Sequence, residues 1–136
     1  MRIEQVHRSV IDEVLPELEA DQMGIEPDVG TWLAAFSDRS ELLGVARITE
    51  AGGARTIDDV WVVPERRKKG VASALLSFAD TPLWLLCDDE MVAFYERRGF
   101  TLAKPEDFPL GLAELYGARG EWPHASDHTH HAMVKQ

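Results

Sequence analysis

Arg66-Arg67-Lys68-Lys69 form one run directly before Gly70. From there Val71, Ala72, Leu75, Leu76 and Ala79 make an apolar stripe of period near 3.6, which predicts a helix. A chain of net charge −10 therefore gathers four cations at a predicted helix start. The first N–H groups of a helix have no partners within it, and the helix dipole is positive there. A phosphate set against them gains charge-assisted hydrogen bonds. Gly70 permits close approach of the backbone, and Ala72 leaves room beside it. The chemistry implied is the holding of a phosphorylated, diphosphate-bearing ligand. The run is not the phosphate loop of nucleotide hydrolases, nor the Gly-x-Gly-x-x-Gly dinucleotide fingerprint, since neither pattern occurs. A solvated turn that caps a helix is the plain alternative.

Two further groups could do chemistry. Asp58 and Asp59 are adjacent on a predicted strand, so alternation lets only one of them point into a given cleft. His124, His128, His130 and His131 crowd the C-terminal end. His128 and His130 share a face if that segment is extended, but zinc would want further ligands, and Asp127 would point the other way. No metal site is assigned, and the cluster reads as a solvated strand end. Cys87 lies within an apolar run and reads as a small hydrophobe rather than a nucleophile.

The elements that must position these residues follow from periodicity and punctuation. Met1–Val6 reads as a strand. A helix follows with Ser9 as N-cap and Val10, Val14, Leu15 and Leu18 on its inner side. Pro16 predicts a kink or a split in it. Asp21–Gly30 reads as loop. Trp32–Phe36, Leu42–Thr49 and Thr56–Val63 read as three strands of an antiparallel meander. The helix from Gly70 to Asp80 ends at Thr81-Pro82. Leu83–Cys87 is a buried strand, Glu90–Arg98 a helix closed by Gly99, and Phe100–Ala103 a strand. Lys104–Asp127 is rich in Pro and Gly and predicts irregular chain with one short helix around Leu112–Tyr116. His130–Lys135 is the last strand. The order describes a mixed α/β sheet with helices on its faces.

The bulk properties narrow the function classes. A length of 136 residues fits one domain, and 45% hydrophobic with 28% charged residues is an ordinary globular mixture. No apolar run reaches the ~18 residues of a membrane span. The opening MRIEQVHRSV lacks the apolar core of a signal peptide, and one cysteine excludes an internal disulfide framework. These features point to a cytoplasmic protein with no membrane anchor. Net acidity argues against a nucleic-acid partner and suits a cationic small-molecule substrate such as an amine.

Arg67-Lys68-Lys69-Gly70-Val71-Ala72 resembles the Arg/Gln-x-x-Gly-x-Gly/Ala signature of the GNAT superfamily of acyl-CoA-dependent N-acetyltransferases. Asp58-Asp59-Val60-Trp61-Val62-Val63-Pro64 is similar to the strand that precedes this signature. Ala93-Phe94-Tyr95-Glu96-Arg97-Arg98-Gly99-Phe100 is similar to the family's second motif. The resemblance is strong over Leu42–Phe100 and weak on either side. It implies an α+β fold spanning 1–136 as a single domain, with a mostly antiparallel sheet splayed in the middle and helices on both faces. It also implies acetyl-CoA as co-substrate. Backbone groups near Val62 would pair with the pantetheine arm, and the amides from Lys68 through Gly70, Val71 and Ala72 to Ser73 would hold the pyrophosphate. Arg67 and Lys69 would lie near the phosphates, with Arg66 toward solvent.

Acetyl transfer to an amine needs a proton acceptor, an oriented attack, a donor for the thioester oxygen and a proton for the departing thiolate. The resemblance assigns Tyr95 to the last task. Asp58 stands where some polyamine acetyltransferases carry a catalytic glutamate and is the preferred base, with Asp59 next and Glu50 a candidate for substrate recognition. His130 precedes Met133 as a proton-transfer histidine does in some relatives of the family. Asp88 departs from the pattern, standing where an asparagine often contacts the pantetheine arm; an ionised aspartate cannot donate there. The expected activity is direct acetyl transfer to a primary amine of a small cationic molecule. A non-catalytic acyl-CoA sensor of the same fold stays open, as does a homodimer formed through the C-terminal strands.

Overall fold

The structure, a computed structural model, describes residues 1–21, 25–118 and 130–136. The chain forms two compact units, one of Met1–Thr49 with Ile57–Ala79 and one of Glu50–Thr56 with Asp80–Gln136.

The predicted meander is present, most of it in the first unit. Strand β1 (Arg2–Val6) pairs antiparallel with β2 (Thr31–Phe36), from Arg2 opposite Phe36 to Val6 opposite Trp32. β2 pairs antiparallel with β3 (Leu42–Ala51), with a register shift between Ala35 and Phe36. β4 (Ala54–Val62) follows across the Gly52-Gly53 turn. The N-terminal helix is split, as Pro16 predicts, into α1 (Arg8–Ile11) and α2 (Leu15–Asp21). Its N-cap is His7 rather than Ser9, because His7 Nδ1 accepts the Ser9 N–H at 3.1 Å. Pro16 sits in the first turn of α2, where a missing N–H costs no helical bond. Ile11, Val14 and Leu18 pack with Trp32, Ala34, Val45 and Trp61 in one apolar cluster. Helix α3 (Val71–Phe78) buries Val71, Leu75 and Leu76, the centre of the predicted stripe, and packs on β1 and β2.

In the second unit β5 (Leu83–Asp88) pairs antiparallel with β7 (His130–Lys135), and β6 (Thr101–Leu102) pairs antiparallel with β7. Thr56 of β4 stands opposite Trp84 of β5 in a parallel pairing. Among the described residues the strand order is β1-β2-β3-β4-β5-β7-β6, a seven-stranded and mostly antiparallel sheet. β5 buries Leu83, Leu85 and Cys87 and half-buries Trp84 and Leu86, the alternation of a strand with two covered faces. Helix α4 (Val92–Glu96) is shorter than its sequence pattern, because Asp89–Met91 forms a 3-10 turn ahead of it. α5 (Leu110–Ala118) is longer than the expected short helix. Phe108, Leu112 and Ala132 join Trp84 and Leu86 in the second apolar cluster. Among the described residues no helix is long and apolar enough to cross a membrane.

Candidate functional site

The end of β4 and the start of α3 carry the basic turn. Val63 N–H donates to the Leu43 carbonyl at 2.9 Å, so Val63 faces β3. Val62, one residue back, therefore turns its N–H and C=O toward the opposite edge of β4. A 3-10 turn over Pro64–Arg66 leads to Arg67 in extended backbone, then Lys68 at φ +64° and Gly70 at φ +86°. Gly70 is the N-cap of α3 in a left-handed conformation that a residue without Cβ adopts at little cost, and among the described residues no side chain caps the helix. The first bond into α3 runs from Ala74 N–H to the Gly70 carbonyl at 3.0 Å. The helix thus offers no acceptor to the leading amides at Val71 and Ala72. Gly44 lets this corner close up: a Cβ there would lie 2.7 Å from the Trp61 carbonyl oxygen and 3.0 Å from Val71 Cγ1.

The four cations divide into two kinds. Arg66, expected toward solvent, is paired to Glu41 at 3.1 Å. Arg67 donates through Nε to the Val62 carbonyl and through Nη2 to Asp21 Oδ2, both at 2.9 Å. Lys68 and Lys69 are exposed and have no carboxylate partner among the described residues. The exposed lysines and the uncapped helix start fit a diphosphate. Asp21 also accepts Trp61 Nε1 at 2.7 Å. The Trp61 hydrogen bond first, and the Arg67 hydrogen bond and charge next, hold the Asp21 carboxyl below its ordinary value of 3.8.

The two adjacent aspartates of β4 have different surroundings. Asp59 adopts φ +53°, so the strand alternation breaks at this point. Its Oδ2 accepts Arg47 Nε at 2.7 Å, and Arg47 also donates through Nη1 to the Val29 carbonyl at 3.1 Å. The alternative base is thus committed to an ion pair with a buried guanidinium. Asp58 is half-buried and its Oδ2 is shielded from solvent. Glu50 is tied to Arg55 at 3.0 Å beside a cavity of about 320 Å³ lined also by Trp84, Pro82 and Pro109.

In the second unit Tyr95 lies half-buried on α4, edge-on to Phe94 (centroids 5.1 Å apart) and to Phe100 (5.7 Å). Asp88 ends β5 on the surface, opposite His130 in register, and the His131 ring pairs with Asp89. Burial first, then the charges of Asp88 and Asp89, pushes the Cys87 thiol up to about 11. His124, Asp127 and His128 lie outside the described residues.

Asp21, Gly44 and Arg47 shape this region and carry no motif. Arg47 does leave a trace in the sequence, as a lone cation inside the apolar run Leu42–Ile48. Such a charge needs a buried partner.

The sequence matches the family described as Acetyltransferase (GNAT) domain over residues 27–102, more than half of the chain. No curated protein matches it significantly by sequence. Among solved structures, N-acetylglutamate synthase of Neisseria gonorrhoeae, complexed with coenzyme A and N-acetyl-glutamate, is similar with TM-score 0.72 and 17% identity over 98% of this chain. The match covers 34% of the synthase, so this chain spans about a third of its length. Escherichia coli ElaA is similar with TM-score 0.64 and 18% identity over the whole of both chains. A spermidine N-acetyltransferase SpeG chimera from Vibrio cholerae and hSSAT is similar with TM-score 0.65 and 14% identity, over 98% of this chain and 93% of that one. At these identities the likeness is one of fold.

Proposed function

The chain belongs to the GNAT family of acetyl-CoA-dependent N-acetyltransferases, and from that premise we propose that it acetylates a primary amine of a small cationic molecule by direct attack in a ternary complex. One observation carries the reading: among the described residues no side chain caps the start of α3, and the exposed Lys68 and Lys69 beside it have no carboxylate partner. That arrangement suits a diphosphate held by backbone amides from Lys68 to Ser73 with Lys68 and Lys69 supplying charge. Val62 presents its edge C=O to an N–H of an extended amide arm.

Bound acetyl-CoA supplies the acetyl group as an activated thioester. The residues of the chain then have three tasks. Asp58 takes the proton that an ammonium acceptor must lose before its nitrogen can attack, directly or through one water. The edge N–H of Val62 donates to the thioester oxygen as charge builds there. Tyr95 gives its phenolic proton to the departing sulfur as the C–N bond forms and the C–S bond breaks, and it regains a proton from solvent. No side chain is acylated. A cationic acceptor agrees with the excess of 24 acidic over 14 basic residues. It agrees also with a polyamine acetyltransferase among proteins of like fold.

Release of CoA in the presence of separate amines tests the reading. Polyamines and other multiply charged amines are expected to support saturable release with an acetylated product. Preference for an acidic amino acid as acceptor would contradict it.

A further inference from the structure

We propose that Arg67 is a specificity-determining residue: resting on Asp21 and on the Val62 carbonyl, it keeps the β4 edge occupied until a diphosphate draws its guanidinium away. The inference rests on the cofactor reading above and adds a reason why the phosphates, and not only the acyl arm, are required.

The geometry is specific. Arg67 bridges the edge carbonyl of Val62, at 2.9 Å through Nε, and the carboxylate of Asp21 at the end of α2, at 2.9 Å through Nη2. The Val62 carbonyl faces away from β3, because its neighbour Val63 donates to Leu43. An extended amide arm that adds to β4 as a strand would bring its N–H to this carbonyl. A guanidinium already lies there.

The latch can open. The Arg67 side chain is 48% exposed and that of Asp21 is 46% exposed, so an arriving anion can reach the guanidinium. A diphosphate offers more charge and more acceptor oxygens than one carboxylate, and it can take a guanidinium by two parallel bonds. Release does not orphan Asp21, which keeps Trp61 Nε1 at 2.7 Å. The exposed Lys68 and Lys69 attract the anion first, and Arg66 takes no part because Glu41 holds it. A thioester with the same arm and no phosphates has to displace Arg67 from the carbonyl with no phosphate to take its Nε–H in exchange. Phosphate binding and arm binding are then positively coupled, and each strengthens the other by the same factor.

The experiment compares acetyl-CoA with acetyl-pantetheine, which lacks the phosphates, by calorimetry on the wild type, Arg67→Ala and Asp21→Asn. Arg67→Ala is expected to weaken acetyl-CoA and to tighten acetyl-pantetheine at least threefold. Asp21→Asn, which removes the resting partner and leaves the cation, is expected to tighten acetyl-CoA. In the wild type, inorganic pyrophosphate is expected to raise the affinity for acetyl-pantetheine, and Arg67→Ala should abolish that rise. Weakening of both ligands by Arg67→Ala, or acetyl-pantetheine binding that neither the substitution nor pyrophosphate improves, overturns the latch. Failure of the wild type to bind acetyl-CoA overturns the cofactor reading itself, and the two failures are thereby distinct.

Discussion

Arg47 Nε donates to Asp59 Oδ2 at 2.7 Å with only 3% and 15% of the two side chains exposed. The pair holds Asp59 at φ +53° inside a strand, a backbone state that costs a non-glycine residue about 1–3 kcal/mol. Removing one partner of a buried pair leaves an uncompensated charge, at a cost of about 3–5 kcal/mol. Arg47→Met is therefore expected to lose about that much stability in urea denaturation, and Arg47→Met combined with Asp59→Asn to recover a large part. A single variant within about 0.5 kcal/mol of wild type would show that the pair is not a structural clamp.

Tyr95→Phe retains the ring contacts with Phe94 and Phe100 and loses only the hydroxyl. The rate of CoA release with a good amine should fall roughly a hundredfold, the scale of one general acid, with little change in KM for acetyl-CoA. An unchanged rate would reduce Tyr95 to a packing residue.

The depressed Asp21 carboxyl gives a pH signature. Its folded-state value lies below the ordinary 3.8, so at intermediate acidity the unfolded chain binds the extra proton. The stability that Asp21 contributes is present above about pH 4 and is lost as pH falls through the depressed value. The stability difference between wild type and Asp21→Asn should accordingly shrink on acidification from pH 6 to pH 3, measured by denaturation at each pH. A difference that stays constant would mean that Asp21 gains nothing from Trp61 and Arg67.

Cys87 is buried, and its thiol is pushed up to about 11. Only about one molecule in a thousand would carry the thiolate at pH 8, and the sulfur is closed off against Met133 at 3.6 Å. Native protein should resist iodoacetamide for hours and react within minutes once unfolded in urea. Rapid labelling of the native form would place the thiol at an accessible site.

Much of this was legible in the sequence because it is local. The cationic turn, the glycine and the α3 stripe lie within 14 consecutive residues, Arg66–Ala79, and composition and periodicity report on that scale. The ties that shape the turn are not local: Asp21 lies 40 residues from Trp61 and 46 from Arg67. No pattern along the chain reports such a meeting. Strand alternation places Asp58 and Asp59 on opposite faces, but the left-handed Asp59 breaks that period, held by an arginine 12 positions away. α5 exceeds its expected length because the first of its two glycines has a packing reason. A Cβ at Gly111 would lie 2.8 Å from the Ala51 carbonyl oxygen, so the residue that weakens the helical pattern is the one that lets the helix dock.

Calorimetric titration of the wild-type protein with acetyl-CoA bears most directly on the cradle at the start of α3. One molecule should bind per chain, more weakly as salt is raised, and Gly70→Glu, which sets a carboxylate where the diphosphate belongs, should abolish the heat while the protein still melts cooperatively. Absence of heat and of any thermal shift with acetyl-CoA in excess, or equal binding by Gly70→Glu, would contradict it.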